Sequence, residues 1–294
     1  MIRRILIGAA VLLLAAIAFN WSTLHNAWRA THPTTVYETE PVALPAELPA
    51  PAVLLFTKTN GFRHEEGIPA GVALIQSIAQ RRGWSVFHTE SGAAFTPENL
   101  GRFSAVVWHQ VSGDVLNDEQ KAALKTWLEA GGGWVGVHGA GGDSAYAWTW
   151  YEDVLVGALF IGHPMGPQFQ DAKLVVEDRG HPATAKLPES FVHNEEWYSF
   201  DATPRARGAH VLLRVDESSY SPRMRLPWFM GGTRELAMGD DHPVVWTRCA
   251  GRGRAFYSAL GHQPSTYTSP EYPRLLEGAI AWAARLEGEG CEGG

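Results

Sequence analysis

From Ala52 onward, short apolar runs alternate with stretches in which apolar residues recur every three or four positions. Residues 52–57 (AVLLFT) have the length and composition of a buried parallel strand. Behind them, residues 68–82 place Val72, Ile75 and Ala79 on one helical face, and Gly83 supplies the stop signal. Residues 84–89 and 104–109 read as the next two strands. Asn117 then caps a helix with Gln120 at the capping-box position and Leu124, Trp127 and Leu128 as its buried stripe, ended by Gly131. A fourth strand, 134–137, runs straight into a glycine-rich turn that begins at His138. The second half is less regular. Residues 173–177, 210–215, 244–247 and 254–258 read as strands, several of them antiparallel, before a closing helix over 270–286. This alternation predicts an α/β fold: a mainly parallel open sheet with helices on both faces and some antiparallel strands in the second half. Such sheets bind ligands at the carboxyl ends of their strands, so the residues just after each strand are the candidates for chemistry.

The chain ahead of this domain has a different character. Arg3 and Arg4 precede an apolar run, 5–19, of about 15 residues, the pattern of a signal sequence or a short span. The continuation Asn20-Trp21-Ser22-Thr23-Leu24 is a poor peptidase site, so an uncleaved signal anchor is expected in preference to a cleaved signal peptide. By the positive-inside tendency the domain would then stand on the periplasmic or extracellular side, held to the membrane by residues 1–30. Residues 31–51 carry Pro33, Pro41, Pro45, Pro49 and Pro51 and read as a semi-rigid linker. The domain is expected over 52–287, with a flexible glycine-rich tail at 288–294. The sequence leaves two states open for Cys249 and Cys291, a disulfide or free thiols, and it leaves homo-oligomer formation open.

A net charge of -7 without a basic run argues against nucleic acid as a partner. Neither GxGxxG nor a P-loop occurs, which argues against a nucleotide cofactor. The strand ends, by contrast, repeat one residue type: His64 follows the first strand, His109 ends the third, His138 follows the fourth, and His262 follows the last. His163 and the stretch His193-Asn194-Glu195-Glu196-Trp197-Tyr198 lie in connections between them. Imidazole serves as a general base near neutral pH and as a metal ligand, so two roles are in view. His138 and His262 would act as base and acid with Glu196, while Arg63 neutralises a developing oxyanion. Alternatively His64, His138, His163 and His262 would hold a divalent metal such as zinc, although no HExxH spacing is present. Adjacent carboxylates on a strand would face opposite ways, which excludes Glu195 and Glu196 as a facing glycosidase pair. His138 occupies the apex of a strand–turn–helix elbow where acyl-transfer enzymes place serine or cysteine, so acyl-enzyme chemistry is not expected. Trp148, Trp150, Trp197 and Tyr198 could stack on the apolar face of a pyranose.

The pieces Gly61-Phe62-Arg63-His64, Gly136-Val137-His138, Gly162-His163-Pro164, Glu195-Glu196-Trp197-Tyr198, Gly253 to Tyr257 with Gly261-His262, and Ala281-Trp282-Ala283 resemble the trehalose-utilisation (ThuA-like) family. The resemblance spans residues 53–286. It implies a fold similar to class I glutamine amidotransferases, with His138 where their cysteine nucleophile lies, and hence no glutamine hydrolysis. It also implies a role in carbohydrate metabolism with a small-molecule sugar as partner. Glu66 departs from the small polar residue the resemblance would lead one to expect. The leading functional expectation is an enzyme acting on a sugar or keto-sugar derivative by metal- or histidine-assisted hydrolysis or isomerisation. The alternative is a non-catalytic carbohydrate-binding or scaffold domain tethered to the membrane. A third reading, drawn from the anchor alone, is a partner of a membrane-bound sugar dehydrogenase.

Overall fold

The computed structural model describes residues 7–8, 12, 14–15, 18–143 and 148–291. Helix α1 (Trp21–Thr31) comes first, and the domain then follows the expected alternation. Its first half holds β1 (Ala52–Phe56), α2 (Gly67–Arg82), β2 (Ser85–Thr89), α3 (Pro97–Leu100), β3 (Ala105–His109), α4 (Asp118–Glu129) and β4 (Gly133–Val137). The second half adds β5 (Phe160–Gly162), β6 (Gln170–Val176), β7 (Ser190–Glu195), β8 (Ser199–Phe200) and β9 (His210–Asp216). It closes with β10 (Arg223–Arg225), β11 (Thr233–Glu235), β12 (Pro243–Ala250), β13 (Gly253–Ser258) and α5 (Tyr272–Ala283).

Nine strands form one sheet in the order β2-β1-β3-β4-β13-β12-β9-β6-β7. The five from β2 to β13 run parallel, and the remaining four are added antiparallel. β1, β3 and β4 are buried along their whole length, as strands covered on both faces must be. Alternation along β4 sends Trp134 to one face, where it packs on Trp108 and Tyr151, while Gly133 lies against the end of α5 on the other. α4 begins with the expected capping box, Asn117 and Gln120 satisfying each other's backbone N–H.

The proline-rich segment, read from its composition as a linker, lies along the domain as a strap. Glu38 pairs with Lys58 at 2.5 Å, and its carbonyl accepts a hydrogen bond from Gln120 Nε2 at 2.8 Å. Asn99 and Arg102 donate to the carbonyls of Val42 and Pro45, and Val42, Leu44 and Leu48 pack against the core. At the other end Cys249 and Cys291 form a disulfide. Arg254 Nε donates to the Gly290 carbonyl and Trp282 Nε1 to that of Glu289, so the described part of the expected tail is tied down. Among the described residues no helix is long and apolar enough to cross a membrane. Much of the run 5–19, expected as an anchor, lies outside the described residues.

Two buried histidines give the fold a pH dependence. His109 Nε2 donates to the Gly67 carbonyl at 3.2 Å, and His181 Nδ1 accepts the Ala183 N–H at 3.1 Å. Burial pushes the pKa of each down to about 4. An unfolded chain protonates them near 6.5, so the stability they contribute is complete above that pH and is lost as pH falls toward 4. The loss is at most about 3 kcal/mol per residue. Thermal melts from pH 7 to 4.5 should therefore show a falling Tm. His181→Asn, which keeps an acceptor for the Ala183 N–H, should flatten that acid limb. An unchanged limb in the variant would show that His181 takes no part in it.

Candidate functional site

The parallel strands bring their carboxyl ends together, and three histidines meet there. β4 ends at Val137, and His138 turns the chain with φ of +48°, a left-handed conformation that costs a non-glycine residue about 1 kcal/mol or more. The surroundings hold it in place. His138 Nδ1 donates to the Ala259 carbonyl at 2.6 Å, its own carbonyl accepts the Tyr257 hydroxyl at 2.9 Å, and Gln110 Oε1 accepts the Gly139 N–H at 3.2 Å. With the proton fixed on Nδ1, the Nε2 lone pair points into the cluster. It lies 2.9 Å from the Tyr198 hydroxyl, 3.1 Å from His262 Nδ1 and 3.4 Å from Glu196 Oε2.

His262 arrives from the turn after β13, and Glu195 fixes that turn. The fully buried Glu195 carboxylate accepts the N–H groups of Gly261 (2.9 Å), His262 (3.3 Å) and Glu196 (2.9 Å) and the Thr266 hydroxyl (2.8 Å). Glu195 ends β7, so the chain has left the strand by Glu196. The expectation that the two carboxylates face apart therefore fails, and both converge on the Gly261–His262 turn. Glu196 Oε2 lies 3.0 Å from His262 Nδ1, while Oε1 meets His163 Nδ1 at 3.2 Å and accepts from Gln168 Nε2. Burial works against charge on Glu196, but its contacts with the surrounding imidazoles hold its pKa well below the usual carboxylate range. Burial likewise opposes charge on His262, yet the Glu196 contact leaves its pKa raised.

His64 completes the group from the turn ahead of α2, its ring 4.8 Å from that of His138 and 4.7 Å from that of His262. Burial, then the two neighbouring imidazoles, push its pKa well down, and its buried Nδ1 has no hydrogen-bond partner. His64, His138, Glu196 and His262 each present a ligand atom, all within 4.8 Å of one another. Tetrahedral ligands at zinc-like bond lengths sit about 3.4 Å apart, so the 3.0–3.4 Å separations among His138, His262 and Glu196 fit a small divalent ion. An orphaned buried nitrogen beside them is a further mark of a metal ligand set.

Other expected site residues are placed differently. His163 stands outside this group of four, on the outer oxygen of Glu196. Arg63 lines the same cavity as His64 and His262, with its guanidinium engaged by Glu90 at 2.8 Å and Glu65 at 3.3 Å. His109 is a packing residue whose ring abuts Tyr267. Trp197 is fully buried with its Nε1 on the Gln170 carbonyl, and Trp150 is held by Glu129. Tyr198, expected as a stacking platform, instead binds His138 through its hydroxyl. Trp148 lines a separate cavity together with Tyr151 and Phe160. Glu66 occupies the N-cap position of α2, without a side-chain capping bond, at the mouth of the cluster, a cavity of about 280 Å³ lined by Phe62, Phe169, His64, His262 and Asn26 of α1. Asn26 exchanges two hydrogen bonds with the Arg63 backbone, at 2.5 and 2.6 Å.

Fold and site together define an open-sheet α/β protein with a histidine–carboxylate centre at the ends of its parallel strands. The chain belongs to the trehalose-utilisation (ThuA) family, whose model matches residues 52–283. Among solved structures it is similar to a ThuA-like protein of Bacteroides uniformis ATCC 8492, with a TM-score of 0.68 and 23% identity over 82% of this chain and 94% of the other. A ThuA-like protein of Parabacteroides merdae ATCC 43184 gives a TM-score of 0.56 and 19% identity over 79% and 89%. No curated protein sequence matches the chain.

Proposed function

We propose that the chain is an enzyme of carbohydrate metabolism that acts on a sugar or keto-sugar derivative by hydrolysis or proton-transfer isomerisation. Its catalytic centre would be His64, His138, Glu196 and His262 holding a divalent cation such as zinc. The observation that carries this reading is the convergence of three imidazoles and one buried carboxylate, with an unpartnered His64 Nδ1 among them. A cation held there would polarise a sugar carbonyl or hydroxyl as a Lewis acid. The protein's own groups have separable tasks. Glu195 and Ala259 orient the His262 turn and the His138 ring, and His262 beside Glu196 can hold or release a proton. Tyr198 donates to His138 Nε2, the lone pair a cation would take. The apolar run after Arg3-Arg4 and the Cys249–Cys291 disulfide support a domain tethered outside the cytoplasm in an oxidising compartment.

Elemental analysis of the intact chain, purified without chelator or histidine tag, is the test. Near-stoichiometric zinc, manganese or nickel is expected, disappearing in a His138→Ala, His262→Ala double variant. Turnover of keto-sugars or disaccharides should then require the metal and fail in the variant. Wild-type protein that stays metal-free after reconstitution would remove the metal centre. Metal with no turnover of any sugar offered would remove the enzymatic reading.

A further inference from the structure

A second and larger cavity, of about 570 Å³, adjoins the histidine cluster and is not part of it. Phe160 and Gly142 line it, and both touch Tyr198: the Phe160 ring is 4.5 Å from the Tyr198 ring, and a Cβ at Gly142 would lie 2.9 Å from the Tyr198 hydroxyl. That hydroxyl is bonded to His138. A molecule in this cavity would thus lie one side chain away from the cluster.

The wall combines flat rings with polar groups. Trp148 and Tyr151 line it in a stacked pair, centroids 6.1 Å apart. Three charged residues face it, and their partners differ. Lys121 and Asp114 neutralise each other at 2.8 Å, and Asp114 also accepts the Tyr37 hydroxyl at 2.8 Å. Asp143 has, among the described residues, only the Gly113 N–H on its Oδ2, which leaves its other oxygen for a ligand. Burial pushes the Asp143 carboxyl up to about 6 against the pull of that N–H. Two carboxylates against one ammonium disfavour an anionic occupant such as a sugar phosphate. Aromatic faces beside a carboxylate acceptor match a neutral pyranose, which offers an apolar C–H face and hydroxyl donors. The volume lies within the range of about 300–1,000 Å³ usual for small-molecule sites. Thr31 and Thr34 also line the cavity, and they precede the family-matched region, so this part of the wall belongs to the chain's own N-terminal segment.

We propose that this cavity is the binding subsite for a neutral glycoside or free hexose, with Trp148 as its stacking platform and Asp143 as its hydroxyl acceptor. The assignment rests on the proposed carbohydrate function and specifies where the sugar sits. Calorimetric titration of the intact chain with trehalose, glucose, methyl α-glucoside and glucose 6-phosphate tests it. At least one neutral sugar should bind, and glucose 6-phosphate should bind at least about ten-fold more weakly. Trp148→Ala and Asp143→Ala should each weaken the neutral sugar about ten-fold or more. Asp143→Asn, which keeps the shape, separates loss of the acceptor from loss of fold. All three cavity variants should retain the metal that the His138→Ala, His262→Ala variant should lose. Wild-type affinity in the Trp148 and Asp143 variants, or no neutral sugar bound by the wild type at about 10 mM, overturns the subsite. Absence of metal from the wild type overturns the functional reading instead, and that outcome is read independently of sugar binding.

Discussion

Replacing Gly133 by alanine is expected to lower the Tm by about 6–12 °C and to reduce soluble yield. Gly133 opens β4, the strand that carries His138, and lies against the last turn of α5. A Cβ there would stand 2.1 Å from the Ala283 carbonyl oxygen and 2.5 Å from its carbon. Both are backbone atoms, so no rotamer change relieves the overlap. The helix as a whole must move, and Leu275, Leu276, Ala279 and Ile280 of α5 are all buried beneath it. Overpacking of this kind costs about 3 kcal/mol, and occasionally more, where the neighbour is rigid. Each kcal/mol lowers the Tm of a domain this size by about 2–4 °C. Differential scanning calorimetry decides the matter. A variant melting within about 2 °C of the wild type would mean that α5 is free to withdraw from β4.

The same strand shows how much of the molecule could be read from sequence. The run 134–137 between two glycine clusters marked a buried strand, and its turn put His138 at a strand end without further information. Buried parallel strands announce themselves because every position along them is apolar. β7 does not: residues 190–195 alternate between exposed and covered positions on an edge strand, and Val192 points to solvent. Reading that stretch as a connection concealed how Glu195 and Glu196 reach the same turn. Residue type also misplaced side chains. His109 and His138 both stand at strand ends, but His109 falls where α2 brings Gly67 and Gly71 close, and its ring is consumed in packing. Trp197 and Tyr198 are neighbours of similar chemistry, yet one fills the core and the other bonds to His138. The proline-rich strap offers no periodic pattern, and its docking depends on Lys58, Gln120 and Arg102, which are distant in the chain. Gln110 shows the same limit: it joins three strand-end loops by accepting from Gly139 and donating to the Gly261 carbonyl, and no spacing rule singles it out.

Glu195 and Glu196 provide the sharpest separation of a ligand from its support, because glutamine at either position keeps the shape and removes the charge. Glu196→Gln should weaken metal binding by about 100-fold or more, since it deletes the one anionic ligand beside three imidazoles. The stability of the metal-free protein should change little. The amide still offers an oxygen to His262 or to the His163 and Gln168 side. Glu195→Gln should act the other way round. Its carboxylate meets four donors and no acceptor, so an amide nitrogen must confront at least one of them, at a cost of about 2–3 kcal/mol. Metal affinity should then fall only as far as the Gly261–His262 turn is displaced. Competition against a chromophoric chelator gives the first quantity, and melts of the metal-free proteins give the second. If Glu196→Gln kept wild-type metal affinity while Glu195→Gln lost it, Glu195 would be the ligand and the assignment of the two carboxylates would have to be exchanged.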